Sequence, residues 1–197
     1  MNRIPNPRKE KNPDSDDDKE VLTLLHYAAV DGRKDIVAFL LDHKEDVNAV
    51  TNKGMTPLHS AVIGSHNEVA QLLLENGARV NAKNNLGGVP LLYAALKDQV
   101  GIAKVLLIHG ADINIADNTG GTPLHFAASS GSTKVVKLLL SNGANVNAKD
   151  NGGCTPLDVA TIEVADLLRH YRAKRGKLSK RNFSRPIEWE GRAPYYN

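Results

Sequence analysis

The chain has 197 residues, 41% of them hydrophobic, with five Tyr, three Phe, one Trp, two Met and a formal net charge of +3. That is apolar material for one ordinary domain, made of thin aliphatic layers rather than one bulky aromatic core. The single Cys154 excludes an internal disulfide framework, and no apolar run approaches the roughly 20 residues that span a bilayer.

Residues 1–20 hold Pro5, Pro7 and Pro13, no aromatic side chain, and the run Asp14-Ser15-Asp16-Asp17-Asp18. Such a segment buries too little apolar area to offset its ordering entropy, so it is expected to be a disordered acidic leader. It offers no apolar stretch for a signal peptide, which fits a reducing cytosolic or nuclear setting.

From residue 23 onward one hexad recurs every 33 residues. Thr23-Leu24-Leu25-His26-Tyr27-Ala28 is followed by Thr56-Pro57-Leu58-His59-Ser60-Ala61 and by Val89-Pro90-Leu91-Leu92-Tyr93-Ala94. Thr122-Pro123-Leu124-His125-Phe126-Ala127 and Thr155-Pro156-Leu157-Asp158-Val159-Ala160 complete the series. Thr56 is a natural N-cap, and Pro57 suits the first helical position, where its missing N–H costs nothing. Pro90, Pro123 and Pro156 repeat that choice. A short helix ending near Gly64 or Ser65 is therefore expected, then a second helix with Val69, Leu72, Leu73 and Leu74 at helical spacing. Asn76-Gly77 stops it. The segment from Arg79 to Gly87 has turn residues around a glycine.

The other columns keep the same phase. Asn48, Asn81, Asn114 and Asn147 share one position, and Asn52, Asn85, Asn118 and Asn151 another. Leu25, Leu58, Leu91, Leu124 and Leu157 form one core column; Leu40, Leu73, Leu106 and Leu139 form a second. Departures mark the ends. Lys44 stands where later units have Gly77, Gly110 and Gly143, and the fifth unit is four residues short between its helices.

Period and hexad closely resemble the ankyrin repeat, across roughly residues 20 to 171. The resemblance implies an all-α solenoid of helix-turn-helix units with projecting β-hairpin-like loops. Its domain would run over 21–171, with repeats at about 21–53, 54–86, 87–119, 120–152 and 153–171. It implies that His26, His59 and His125 bond the nearby threonine and the loop backbone. A metal role for them fails on scale, because adjacent helices sit about 8–10 Å apart whereas a His–Zn bond is about 2.0–2.1 Å. Cys154 and Asp158 lack a histidine to activate the thiol. With no phosphate-binding glycine loop, Ser–His–Asp arrangement or Cys-x-x-Cys site, the chain reads as a non-enzyme that needs no cofactor.

What the resemblance implies instead is a monomeric protein-interaction module that binds a protein partner through loop tips and the exposed edge of the first helices, on the concave face of the stack. The matching positions are Val30, Asp31, Lys53, Met55 and Ile63, then Leu86, Leu96, Lys97, Thr119, Ser129 and Ser130. The middle of that surface (Met55, Ile63, Leu86, Leu96) is apolar, the mark of an interaction site if exposed. The Asn-rich loops also resemble ankyrin proteins of intracellular bacteria, some injected into hosts, which leaves export by a bacterial pathway open.

Residues 169–197 carry nine basic and two acidic side chains, against eleven and fourteen in 21–168. Arg172, Lys174, Arg175, Lys177, Lys180, Arg181 and Arg185 make the tail, 172–197, an alternative binding element for nucleic acid or an anionic surface, or a nuclear-targeting signal. Its aromatic residues suit a docking peptide.

Overall fold

The computed structural model describes residues 22–176; the acidic leader and the tail beyond Gly176 lie outside them. Five helix pairs follow in order. They are α1 (Leu24–Val30) with α2 (Lys34–Asp42), α3 (Pro57–Ile63) with α4 (Asn67–Glu75), and α5 (Pro90–Leu96) with α6 (Val100–Ile108). Then come α7 (Pro123–Ser130) with α8 (Thr133–Ser141), and a short α9 (Pro156–Val159) with α10 (Ile162–His170). Odd helices stack on odd and even on even, each packing on the helix one unit away. Among the described residues there is no strand, and no helix is long and apolar enough to cross a membrane. The fold is an all-α repeat solenoid.

The odd helices start where the hexad says. Thr23, Thr56, Thr122 and Thr155 are N-caps in extended geometry, and their units close a capping box with the residue three places on. Val89 replaces the cap of α5 with an apolar side chain, so that helix begins with no side-chain cap. Behind the caps the leucine columns sink. Leu25, Leu58, Leu91 and Leu124 are at most 1% exposed, and Leu73, Leu106 and Leu139 are fully buried. Each such side chain stabilises the fold by about 1.5–3 kcal/mol, but only because a neighbouring unit covers it. At the first unit that cover is thin: Leu24 and Phe39 are exposed, while Pro57 and Pro90, their counterparts of Leu24 in the next units, are buried.

The turn between the helices of a pair passes through a left-handed residue, in turn Gly32, Ser65, Asp98 and Gly131. It closes with a backbone bond from Arg33, His66, Gln99 or Ser132 to the alanine carbonyl five residues back. Even helices end alike. His43 and His109 donate Nδ1–H to the carbonyls of Phe39 and Val105, and Asn76 and Asn142 donate their amides to those of Leu72 and Leu138. The next residue turns left-handed: Gly77 (φ 88°), Gly110 (φ 83°), Gly143 (φ 87°), but Lys44 (φ 68°) in the first unit and Arg172 (φ 60°) in the last. A side chain in that region costs on the order of 1 kcal/mol. Lys44→Gly is therefore expected to raise the free energy of unfolding by up to about 1 kcal/mol, less the extra entropy glycine gives the unfolded chain. Urea melts of the two proteins measure it; an unchanged or lower midpoint would show that the lysine costs nothing there.

Candidate functional site

The loops joining one pair to the next end in four tips, residues 50–55, 83–88, 116–121 and 149–154. Each tip closes on itself through a backbone bond, from Thr51 to Met55, Asn84 to Gly88, Asp117 to Gly121 and Asp150 to Cys154, at 2.9–3.0 Å. The side chain at the first of these positions then fills the turn. Asn84 Oδ1 accepts the amides of Leu86 and Gly88 at 3.0 and 2.8 Å. Asp117 Oδ1 accepts those of Thr119 and Gly121 at 2.9 and 2.8 Å, and Asp150 Oδ1 those of Gly152 and Cys154. Thr51 Oγ1 does the same more loosely for Lys53 and Met55.

Successive tips are tied to each other. The amides of Asn85, Asn118 and Asn151 donate to the carbonyls of Lys53, Leu86 and Thr119 at 3.0, 3.1 and 2.9 Å. Their carboxamides reach the carbonyls of Asn52, Asn85 and Asn118. The second asparagine column works further back. Asn48, Asn81 and Asn114 accept from the amides of Arg79, Asp112 and Asn145 at 2.8–2.9 Å. With so much of the backbone satisfied, the edge is preorganised.

The histidines lock tip to helix. The amides of Thr56 and Thr122 donate to Nδ1 of His59 and His125 at 3.2 Å. That makes Nδ1 the acceptor, so Nε2 carries the proton and donates to the carbonyl of Gly88 (3.2 Å) or Cys154 (3.1 Å), one unit on. His26 reaches Met55 in the same manner at 3.0 Å. Burial pushes the pKa of His59 down to about 4, against the pull of its Gly88 bond, and lowers that of His125. The imidazoles of His59 and His125 are thereby kept as neutral struts. Among the described residues no group of three or more His, Cys, Asp or Glu is placed to hold a metal ion. Cys154 is buried, and burial raises its thiol pKa, which works against thiolate formation.

In the fifth unit Asp158 takes the histidine's place, and its carboxylate collects donors. Oδ2 accepts the amides of Thr155 (2.9 Å) and Gly176 (2.6 Å), and Arg175 lies 3.8 Å from Oδ1. These bonds and the Arg175 charge hold the carboxyl below its usual range, against the desolvation that opposes them most. Lys174 donates its amide to Asn147 Oδ1 at 2.7 Å, repeating at the last asparagine of the column what Asn145 does at Asn114. The chain through 173–176 is thus laid against the fifth unit.

The anticipated binding positions fall along the tips and the adjoining ends of the odd helices. Lys53, Leu86 and Thr119 stand exposed at successive apices, with Leu86 at 53%. Asp31 and Lys97 cap α1 and α5, with Lys97 Nζ on the carbonyl of Ile63 at 2.6 Å and its pKa lowered by burial. Ser129 and Ser130 turn their hydroxyls onto the carbonyls of Phe126 and Ala127. Val30 is half-buried, and its carbonyl accepts from His66 Nε2 at 2.9 Å. Met55, Ile63 and Leu96 are half-buried against the core, so only Leu86 of that apolar group stands clear. Val50, 65% exposed, stands on the same edge and escaped notice in the sequence because its column holds Lys83, Ala116 and Lys149. Of the basic tail, Arg172, Lys174 and Arg175 are described and exposed; Lys177, Lys180, Arg181 and Arg185 lie outside the described residues.

A family model described as ankyrin repeats (3 copies) matches residues 6–84 and 86–176. Among curated proteins none matches the chain with significance.

Proposed function

The chain belongs to the ankyrin-repeat family, whose members are generally protein-interaction modules, and from that premise we propose that it is a non-catalytic module binding a protein partner. The contact surface in this reading is the line of tips with the adjoining ends of α1, α3, α5 and α7. One observation carries it. The positions that repeat from unit to unit are consumed by the stack, as leucine layers, histidine struts and asparagine ties. Those that change, such as Lys53, Leu86, Thr119 and Gly152, stand at the tip apices. Identity varies where the stack does not constrain it, and that is where recognition is free to be written.

The test is affinity capture with the full chain as bait, followed by alanine variants at Lys53, Met55, Leu86, Leu96 and Lys97. Leu86→Ala is the decisive one, because an exposed apex can be truncated without opening a cavity. Its complex with the captured partner is expected to weaken about tenfold through faster dissociation, with thermal stability unchanged. Lys53 and Lys97 belong to the rim and should act mainly on association rate and its salt dependence. The alternative reading, an anionic partner held by the tail, is favoured by the exposed Arg172, Lys174 and Arg175. Deleting 177–197 together with Arg172→Gln, Lys174→Gln and Arg175→Gln separates the two: binding that survives this but weakens on Leu86→Ala supports the tips, and the opposite pattern supports the tail.

A further inference from the structure

The tip edge presents charge of one sign. Within the four tips the charged residues are Lys53, Lys83, Lys149, Asp117 and Asp150. The three lysines are exposed. Asp117 is buried and Asp150 half-buried, and both turn Oδ1 into the amides of their own loop. One unit on from the fourth loop, Lys174 takes the place that Arg79, Asp112 and Asn145 hold in earlier units, beside the tips, and it and Arg175 are fixed there by the bonds to Asn147 and Asp158. No such bias marks the outer helices, where the exposed charges include Glu68 and Glu75 on α4 as well as Lys34 on α2 and Lys134 and Lys137 on α8. Sequence charge alone hides the asymmetry, because 21–168 is net negative. Folding sorts the signs by tucking the tip carboxylates inward.

We propose that this edge receives an extended acidic polypeptide segment, laid across the tips with its carboxylates on Lys83, Lys149 and the Lys174–Arg175 pair and an apolar side chain on Leu86. The proposal rests on the tips being the partner-binding surface and names the partner's chemistry. The spacing sets the conformation. Stacked units lie about 8–10 Å apart, and an extended chain covers about 3.3 Å per residue, so one unit matches about three residues. From Lys83 to Lys149 is two units, or about six residues, and from there to Lys174 one more, or about three. A helix rising about 1.5 Å per residue would need twice as many and would turn its acids off the line. Polypeptide is favoured over single-stranded nucleic acid by what lies between the cations. Leu86 is exposed there, whereas Tyr93 and Phe126, the aromatics of the units between Lys83 and Lys149, are buried and cannot stack a base; the exposed rings of Tyr27 and Tyr171 belong to the first and last units of the stack.

The experiment uses the full chain and three fluorescein-labelled probes: a peptide of about twelve residues repeating Glu-Gly-Leu, the same peptide with Gln for Glu, and oligothymidine of equal length. The acidic peptide is expected to bind saturably, at least about tenfold tighter than the glutamine peptide, and to weaken as salt rises through the range where the Debye length falls below about 10 Å. Lys83→Glu with Lys149→Glu should weaken it by at least about tenfold, with the melting temperature unchanged. Should that variant unfold, Lys83→Gln with Lys149→Gln is read the same way with a smaller expected loss, about threefold. Equal affinity for both peptides, indifference to these lysines, or tighter binding of oligothymidine would overturn the proposal. The broader reading of the edge fails separately. If Leu86→Ala weakens both peptides while the lysine variants change neither, the tips bind polypeptide without regard to acidity. If neither Leu86 nor the lysines matter, both readings fall.

Discussion

Gly87→Ala is expected to cost about 3 kcal/mol of stability, whereas Gly77→Ala costs about 1, although both glycines sit at nearly the same left-handed φ. Gly87 has φ 76° and Gly77 φ 88°. The conformational penalty is common to both, on the order of 1 kcal/mol for a side chain in that region. What differs is the space. A Cβ on Gly77 would meet nothing within 4 Å. On Gly87 it would press into Asn118, whose backbone nitrogen would lie 2.6 Å away and whose Oδ1 would be closer still. Asn118 cannot step aside cheaply, because its amide and carboxamide are the ties to Leu86 and Asn85. Overpacking of this kind costs about 1–3 kcal/mol on its own. Paired urea melts give the answer, with both variants referred to the parent. Equal losses would mean that the tips yield independently and that the edge is looser than its bond pattern.

Acid should destabilise the fold well before the carboxylates titrate. His59 is neutral in the folded chain, with its pKa lowered to about 4 chiefly by burial, next by the nearby His26, and with its Gly88 bond opposing both. In the unfolded chain its pKa returns to about 6.5. Between those values the unfolded state binds the extra proton, so stability falls as pH drops and is fully present only above about 6.5. A gap of about 2.5 units at about 1.36 kcal/mol per unit makes His59 responsible for about 3 kcal/mol by pH 4. His125, also lowered, adds in the same direction. Asp158 acts later: its carboxyl, lowered from 3.8, contributes stability that is present above that value and lost as pH falls below it. The measurement is the unfolding free energy of parent and His59→Gln at pH 7 and pH 4.5. The parent should lose about 2–3 kcal/mol more than the variant across that interval, and parallel losses would remove His59 as the cause.

Much of this architecture is written in the sequence, because a stack repeats its requirements. The threonine caps, the prolines behind them and the leucine columns recur at one period, so helix starts and core layers can be assigned before any coordinates exist. The third unit shows the same logic in reverse: Val89 and Leu92 remove the box, and α5 begins uncapped. Partnership across units is less legible. The two asparagine columns are plain in the sequence, but that one ties tip to tip while the other reaches the next loop depends on how loops stack. Exposure is harder still. Met55, Ile63, Leu86 and Leu96 look alike as side chains, yet three lean into the core and Leu86 alone stands out, a difference of a few ångströms set by packing. Nor does the charge pattern declare that Asp117 and Asp150 point inward, since an aspartate in a turn can equally face water.

The exchange of histidine for Asp158 changes which way hydrogen bonds run at the fifth unit. His26, His59 and His125 each hand a proton forward, from their own unit to a carbonyl in the following one, while the third unit, with Leu92 in that place, is followed by a fourth without such a bond. A carboxylate has no proton to hand on. Facing the carbonyl of a sixth unit it would meet oxygen with oxygen, and it accepts instead from Gly176, Thr155 and the Arg175 guanidinium, none of which belongs to another helix pair. The direction of giving reverses at that residue.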